Sequence, residues 1–309
     1  MGIVVLGAVF IDIKGHSTAS YIPAGRNVGT VEEVHGGVSR NVVEDIANVE
    51  LRPTFVSLVD ESGIGLGVLE KLKNHKVETK YMRKTPNGMG KWLAVFDNHG
   101  DVVASISKRP DLSEINNILD EQGDEIFKNA DSIALEIDME KDTIKRVFKY
   151  AEKYNLKVYA AVSNMSIAVE RRDFLTKVEC FVCNIQEAGI LFMDDYSNKT
   201  NEEMQEILAK KIQGAQIKKM IVTMGGDGAV YADIDGNTGF VPARKVDVKD
   251  TTGAGDSFFA GVTIGLTYGK TMVEACEIGA TLAASVIVTS DNVCPRFLPS
   301  EFGIELPEE

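Results

Sequence analysis

The chain has 309 residues, 44% of them hydrophobic and 26% charged, and its formal net charge is −13. This composition is typical of a globular protein with a large core, and the length fits two domains or one large α/β domain. The negative charge argues against nonspecific binding to nucleic acid or to an anionic membrane, because both attract basic surfaces. No run of about 18 apolar residues occurs and the apolar start lacks a basic leader, so we predict a cytoplasmic protein without a membrane span.

Apolar strands alternate with amphipathic helices along most of the chain. The near-continuous apolar run 3–10 predicts a first strand covered on both faces, and a helix follows Gly36 and Gly37. Later segments give predicted strands at 54–59, 131–137, 157–162, 179–184 and 219–224, and predicted helices at 67–75, 141–154 and 201–213. The alternation predicts one α/β domain over residues 1–309, with a central, mostly parallel sheet flanked by helices.

Residues 90–107 depart from this pattern. They contain two β-rich runs joined by Asp-Asn-His-Gly at 97–100, which is typical of a hairpin turn. Together with the polar stretch 12–35 they predict either a small β-sheet lid over one end of the central sheet or an edge hairpin of that sheet. Periodicity alone leaves both interpretations open.

Cys180 and Cys183 form a C-x-x-C pair inside the predicted strand 179–184. Residues three apart on a strand point to opposite faces, and neither a second cysteine pair nor a histidine cluster accompanies these two. We therefore interpret them as buried strand residues and not as a metal or redox site.

The stretch DTTGAGDSFFAG, residues 250–261, places small residues before an apolar helical pattern. Gly253, Ala254 and Gly255 would lie at a helix entrance, where backbone N–H groups lack partners and attract an anion. Asp256 would repel a phosphate that is merely bound, but it suits a phosphoryl group in transfer, as the base that takes the proton of the attacking hydroxyl. We expect the helix terminus to keep this carboxylate ionised.

The same stretch also permits a purely structural interpretation. Thr252 would cap the helix, the glycines would form a turn, and Asp256 would complement the helix dipole.

Two further motifs favour a catalytic function over this structural one. VTMGGDG, residues 222–228, follows a predicted strand with a Gly-rich turn that can cradle phosphates, although it also fits a hairpin.

The second of these motifs is NIQEAG, residues 184–189, at the end of another predicted strand. Asn184 and Glu187 lie where the carboxyl edge of a parallel sheet opens onto ligand. Glu187 suits Mg²⁺ held through water, because this ion keeps most of its hydration shell, or it is simply a favourable first-turn glutamate.

Taken together, these motifs resemble the ribokinase-like (PfkB) carbohydrate kinases. GAVFID and HGGVSRN within 7–41 are similar to that family's N-terminal signature, NIQE to its Asn-x-x-Glu motif, and DTTGAGDSFFAG to its C-terminal signature. The resemblance implies a mostly parallel sheet with a β-lid, ATP and Mg²⁺ as cofactors, and a small-molecule sugar or nucleoside as the phosphate acceptor. It also implies a homodimer through the lids as one form of association.

The resemblance implies a role for each matching position. Asp256 matches the catalytic base, and Gly253, Ala254 and Gly255 match the anion hole. The remaining matches are Asn184, Thr223, Gly225 and Gly228 for the nucleotide phosphates, Glu187 for Mg²⁺ through water, Asp12, Gly37, Asn41 and Glu136 for the acceptor, and Asp250 and Thr252 for a monovalent cation, usually K⁺.

The acceptor positions depart from the ribose-specific members of the family. Phe10 stands where they have an asparagine and Val38 where they have a lysine, and two lost polar contacts argue against plain ribose. The GGVSRN form, with Arg40, and VTSDNVCP near the C-terminus look more like the pseudouridine-kinase branch. Phe10 would stack on a base or belong to the core.

These observations predict an ATP-dependent kinase that phosphorylates a primary hydroxyl of a small sugar or nucleoside, with pseudouridine as one specific alternative. A protein of another class, a sugar or nucleotide sensor that keeps the fold without turnover, is the competing hypothesis. Asp256 argues against it, because a protein that only binds has no need of a base aimed at the γ-phosphate.

Overall fold

The computed structural model describes residues 2–99 and 102–306. Within these ranges the strands are β1 (Ile3–Leu6), β2 (Val9–Ser17), β3 (Gly29–Gly36), β4 (Thr54–Val59), β5 (Met82–Lys84), β6 (Met89–Phe96), β7 (Val102–Lys108), β8 (Ser132–Glu136), β9 (Val158–Ala161), β10 (Cys180–Asn184), β11 (Lys219–Thr223), β12 (Ala229–Asp233) and β13 (Thr238–Val241). The helices are α1 (Val38–Asn48), α2 (Gly63–Asn74), α3 (Glu114–Phe127), α4 (Lys141–Tyr154), α5 (Met165–Ala168), α6 (Arg172–Leu175), α7 (Ile185–Phe192), α8 (Asn201–Ala215), α9 (Ala254–Thr267) and α10 (Met272–Ile287). None of the helices described is both long enough and apolar enough to cross a bilayer.

The central sheet has nine strands in the described residues, in the order β13-β12-β11-β10-β9-β8-β1-β4-β5. Neighbouring strands from β5 to β11 run parallel, and β12 and β13 add an antiparallel edge. This confirms the predicted α/β class with a mostly parallel sheet. All parallel strands therefore end at one edge, which is where such sheets hold their ligands.

Two apolar clusters cover the two faces of this sheet. One packs α3, α4, α7 and α8 against it and contains Cys183, and the other packs α1, α2, α9 and α10 and contains Cys180. The two cysteines are thus buried on opposite faces, as their spacing predicts, and burial raises the pKa of both thiols. Near-continuous apolar strands are the expected sequence of a sheet covered on both sides.

A separate four-stranded sheet in the order β3-β2-β6-β7 forms the lid. Its strands cover most of the predicted segments 12–35 and 90–107, so the interpretation as an edge hairpin of the main sheet is wrong. The antiparallel pair β6–β7 is the predicted hairpin, although Gly100 and Asp101 at its turn lie outside the described residues.

The prediction of one strand over 3–10 is wrong, because the run divides between the two sheets. β1 pairs with β4 and β8 in the central sheet, whereas β2 pairs with β3 and β6 in the lid. The chain changes sheet at Gly7, where a Cβ would overlap the side chain of Ser39. The hydrophobic pattern does not reveal this change of sheet, since both halves of the run are largely buried.

The outer face of the lid carries several exposed apolar side chains. Leu93 and Ile106 are cross-strand neighbours on the face opposite to Asp12, and 42% and 70% of their surface is exposed. Val31 lies on the same face and is 75% exposed. The homodimer through the lids stays a prediction, and this is the surface on which it would form.

Helix α9 is held in place by close packing against α10. A Cβ on Gly261 would lie 2.6 Å from the backbone N and Cα of Gly279, so the two helices meet backbone to backbone. α9 is buried along most of its length. The position of its N-terminus is therefore fixed by the core, which has little room to relax.

Replacing Gly261 by alanine should force α9 and α10 apart. We expect Gly261→Ala to lower the free energy of unfolding by about 1–3 kcal/mol, as overpacking does. Urea unfolding would measure it. The control is Gly214→Ala in α8, where a Cβ meets nothing within 4 Å, and which should gain up to about 1 kcal/mol in helix propensity. Equal effects of the two substitutions would contradict this account of the packing.

Candidate active site

The ends of four parallel strands bring the predicted residues to one edge of the sheet. Asn184 ends β10 beside Thr223 at the end of β11, and Glu136 ends β8 beside β9. The N-terminus of α9 faces the same edge, since Gly255 and Asp256 line a cavity of about 230 Å³ together with Asn184 and Thr223. Residues that are far apart in sequence are thus gathered where the topology predicts a site.

Gly253, not Thr252, is the N-cap of α9. Gly253 has φ 84°, no side chain caps the helix, and a Cβ there would overlap the carbonyl oxygen of Asn292. Thr252 instead donates its hydroxyl hydrogen to Asp250 Oδ1 at 2.8 Å. The structural alternative of a threonine cap is therefore wrong. The Ala254 N–H donates to the Thr251 carbonyl oxygen at 3.2 Å, so the next N–H groups of the first turn are those left for another acceptor.

Gly255 lies in the first turn of α9 with open space beside it. A Cβ there would have no neighbour within 4 Å, apart from its own helix. The residue therefore leaves a free path to the helix terminus, where the N–H groups and the helix dipole favour an anion.

Asp256 is fixed by α1. Asn41 Nδ2 donates to Asp256 Oδ2 at 2.6 Å, and one residue further along α9 Ser257 Oγ donates to Asp45 Oδ2 at 2.7 Å. These two hydrogen bonds join α1, which follows Gly37, to α9, which follows Gly253. The Oδ1 atom of Asn41 is buried and has no hydrogen-bond partner in the described residues, so it remains available to a ligand.

The pKa of Asp256 is raised to about 7 in the unliganded protein. Burial is the main cause and the carboxylates of Asp45 and Asp12 add to it, while the hydrogen bond from Asn41 and the guanidinium of Arg40 act in the opposite direction. With a pKa of about 7, the carboxylate of the free protein is only partly ionised near neutral pH, because desolvation acts against the expected effect of the helix terminus. A pKa near the working pH suits a general base.

A second cavity, of about 750 Å³, adjoins the first. Asn184, Thr223 and Gly255 line both cavities. The larger one lies between the Gly-rich turn after β11 and the alanine-rich face of α10. A polar end joined to a broad apolar slot is the shape that a nucleotide requires.

The Gly-rich turn is both a hairpin and a cavity wall. β11 and β12 pair antiparallel, and the turn between them contains a 3₁₀ segment, Gly225–Asp227. Gly225 and Gly228 have φ of 59° and 106°, and a Cβ on Gly228 would overlap the carbonyl oxygen of Val241. Glycine is required at this turn, which lines the larger cavity beside Thr223.

Asn184 and Glu187 form a capping box at the start of α7. The Glu187 N–H donates to Asn184 Oδ1 and the Asn184 N–H to Glu187 Oε2, each at 2.8 Å. Burial and the nearby carboxylate of Asp138 raise the pKa of Glu187, against the hydrogen bond from the Asn184 N–H, and this carboxylate adds negative charge to the cavity wall. That charge fits Mg²⁺ held mainly by water and phosphates, whereas the described residues contain no cluster of three or more metal-binding side chains.

Two of the predicted acceptor residues, Asn41 and Asp12, lie close enough to Asp256 to affect its pKa. Asp12 lies on β2. Burial raises its pKa, although the positive charges of Lys14 and Arg40 act to lower it. Gly37, with φ 99°, joins the lid to α1, and a Cβ there would lie 2.8 Å from the carbonyl oxygen of Ala8. Their roles stay predictions.

Glu136 is buried more deeply than the other predicted acceptor residues. Its Oε2 accepts hydrogen bonds from the Ser39 hydroxyl at 2.8 Å and the Ala8 N–H at 3.1 Å. Burial and the neighbouring Asp138 raise its pKa. Phe10 also packs against the core, which favours its interpretation as a core residue.

Sequence reasoning missed a buried lysine and an aromatic group on the inner face of the lid. Lys14 Nζ donates to Thr252 Oγ1 at 3.3 Å and lies 3.7 Å from Asp250 Oδ2. These are the residues predicted to hold K⁺. The alternation of β2 could have shown that Lys14 shares a face with Asp12, but not that it meets residues 236 or more positions away.

The aromatic group contains His16, Trp92 and Phe96. His16 stacks on Phe96 with 4.5 Å between ring centroids, and Trp92 meets Phe96 edge-on at 6.4 Å. Register places Trp92 directly beside Asp12 and Phe96 beside His16, so all three rings lie on the face of the lid that carries Asp12 and Lys14.

Similarity to known proteins extends over nearly the whole chain and identifies its class as a small-molecule kinase. Residues 2–296 match the family model described as pfkB family carbohydrate kinase. The chain is 36% identical over 295 residues to the guanosine-inosine kinase of Exiguobacterium acetylicum, covering 94% of this chain and 95% of that protein. It is 26% identical over 264 residues to the pseudouridine kinase of Escherichia coli (strain K12), covering 84% and 82%. The chain belongs to the pfkB family of carbohydrate kinases, phosphotransferases that act on sugars or nucleosides.

The fold agrees with solved members of this group. The structure of Arabidopsis thaliana ribokinase complexed with ribose and ATP superimposes with a TM-score of 0.78 at 20% sequence identity, covering 95% of this chain and 96% of that one. The predicted ribokinase-like fold with a β-lid is confirmed.

Asp256→Asn should change the pH dependence of stability. The pKa of Asp256 lies near 7 in the folded protein and near 4 when unfolded, so the wild type loses stability as pH rises between these values. We expect the variant to be more stable than wild type by about 1–3 kcal/mol at pH ~8 and equal to it near pH ~4.5. Urea unfolding at both pH values measures this. Asp235→Asn, at an exposed site, is the control, and a difference independent of pH would count against the raised pKa.

Gly255→Val should block the helix terminus without harming the fold. The new side chain enters the open space shared by both cavities. Turnover should fall about 100-fold or more, because the phosphoryl oxygens would no longer reach the N–H groups of the helix terminus. The Tm should stay unchanged or rise, because valine has a higher helix propensity than glycine. Gly214→Val, equally open, serves as the control in the same assay. Retained turnover in Gly255→Val would mean that the anion does not approach this terminus.

Proposed function

We propose that the protein transfers the γ-phosphoryl group of ATP to the primary hydroxyl of a nucleoside. The observation that carries this proposal is Asp256, held by Asn41 at 2.6 Å beside an uncapped helix terminus that borders two joined cavities. A carboxylate with a pKa near 7 at such a place suits proton transfer and serves no purpose in a site that only binds.

ATP would occupy the larger cavity. The Gly-rich turn around Gly225 and Gly228 would contact its phosphates, and the alanines of α10 would pack against its base. The γ-phosphate would then point toward Gly255 in the wall that both cavities share. Mg²⁺, when bound near Glu187, would supply charge neutralisation to the phosphates.

Asp256 would take the proton of the acceptor hydroxyl. As that oxygen forms its bond to the γ-phosphorus, the bond from phosphorus to the bridging oxygen breaks and ADP leaves. The Gly255 N–H at the start of α9 would stabilise the charge on the phosphoryl oxygens. The lid would exclude water, which otherwise competes as acceptor.

The inner face of the lid supports a nucleoside over a simple sugar. Trp92 stands directly beside Asp12, the residue proposed to bind an acceptor hydroxyl, and it continues into the ring pair of His16 and Phe96. Flat aromatic side chains next to a sugar site provide a surface on which a base can stack. The names of the guanosine-inosine kinase and the pseudouridine kinase agree with this acceptor class.

ADP release with ATP and Mg²⁺ would test the proposal across guanosine, inosine, uridine, pseudouridine, ribose and fructose. We expect nucleosides to be the best acceptors, and Asp256→Asn to lower turnover about 1,000-fold. Trp92→Ala should raise the KM for the best nucleoside about tenfold or more, as lost base stacking predicts, and should leave the KM for ribose unchanged.

Leu93→Ala, on the outer face of the same strand, is the matched control for Trp92→Ala. Ribose phosphorylated as well as nucleosides would overturn the acceptor class. ATP or nucleoside binding without ADP release from any acceptor would favour a sensor. Turnover that survives in Asp256→Asn would show that another residue is the base.

A further inference from the structure

Lid strand β2 carries a buried lysine for which the proposed reaction has no role. Lys14 is 8% exposed, and its ammonium donates to Thr252 Oγ1 at 3.3 Å and lies 3.7 Å from Asp250 Oδ2. A charge with so little access to water requires an opposite charge nearby. Asp250 supplies it, although this residue belongs to the loop before α9, in another part of the fold.

Both carboxylate oxygens of Asp250 in the loop 250–252 already face partners from the chain itself. Asp250 Oδ1 accepts the Thr252 N–H at 2.9 Å and the Thr252 hydroxyl at 2.8 Å, and Oδ2 faces Lys14. Although burial acts to raise it, the pKa of Asp250 is held below its usual range by these hydrogen bonds and by Lys14.

These contacts do not fit the K⁺ that family resemblance implies for Asp250 and Thr252. A second cation at the same carboxylate would lie within a few ångströms of the ammonium and be repelled by it. In the described residues the positive charge at this loop comes from the chain itself.

We propose that the ammonium of Lys14 is the resident monovalent cation of the 250–252 loop, so that the enzyme needs no K⁺. Lys14 is thus a positioning residue. It holds the loop that leads into Gly253, and through this loop it orders the helix terminus that the proposed function assigns to the γ-phosphate. Because Lys14 stands on β2, the same contact fastens the lid to the phosphate-binding side of the site. This inference rests on the proposed function only for its effect on turnover.

Lys14→Met tests the inference, since methionine keeps an apolar stem and removes the charge. The Tm of the ligand-free protein is measured in KCl and in tetramethylammonium chloride at equal ionic strength. Wild type should give the same Tm in both salts. The variant should melt roughly 2–4 °C lower in tetramethylammonium chloride and recover in KCl as K⁺ takes the vacated place.

Turnover provides the second readout. Wild type should not respond to K⁺, whereas Lys14→Met should lose about 10- to 100-fold in kcat without K⁺ and regain a large part with it. Lys91→Met, an exposed lysine on the outer face of the lid, should respond to K⁺ in neither assay.

Two results would overturn the proposal: wild type activated or stabilised several-fold more by K⁺ than by tetramethylammonium, or a folded Lys14→Met protein indifferent to K⁺. If Lys14→Met does not fold, the wild-type comparison alone decides. Absence of turnover with every acceptor would count against the proposed function, and the Tm comparison would still decide the role of Lys14.

Discussion

The contact between α1 and α9 is the constraint on which the rest of the site depends. An anion-binding helix terminus works only if its N–H groups stay unsatisfied by the protein and still point at a fixed place. The core fixes α9 through the backbone contact of Gly261 with Gly279. The polar pairs Asn41–Asp256 and Asp45–Ser257 then set its rotation relative to α1. Apolar packing gives the position, and buried hydrogen bonds give the orientation.

This arrangement concentrates negative charge where water is scarce. Asp45 and Asp256 both have a pKa raised to about 7, chiefly by burial. Arg40, whose guanidinium opposes the rise at Asp256, is itself structural, since it is 1% exposed and donates to Glu44 at 2.7 Å and to the carbonyl of His35 at the base of the lid. The site is thus built at a cost in stability, a common feature of catalytic sites in which carboxylates are kept away from solvent.

Much of the fold follows from local sequence, because helix and strand periods are local properties. Helix α4 has the predicted bounds 141–154, and the three motifs of the site end strands or begin helices as expected. The failures at the first strand and at Asp256 depend on distant contacts. The run 3–10 divides at Gly7 because Ser39 lies against it, and the pKa of Asp256 is raised by burial and by Asp45, 211 positions earlier. Neither partner is visible in the local pattern.

Several of the residues proposed to recognise the acceptor lie on the lid, which is joined closely to the central sheet. β2 leaves the central sheet after only Gly7 and Ala8, so it has no linker that would let it move independently of β1. Along one face of this strand stand Asp12 and Lys14, and Trp92 lies across from Asp12. The β2–β6 pair thus carries a proposed acceptor contact, a charge for the loop before α9 and the edge of an aromatic surface. Because these three groups are two residues apart or directly paired, a shift that misplaces one of them misplaces all. A lid built in this way would couple recognition of the proposed acceptor to the order of the proposed phosphate site through rigid pairing, with no separate hinge required.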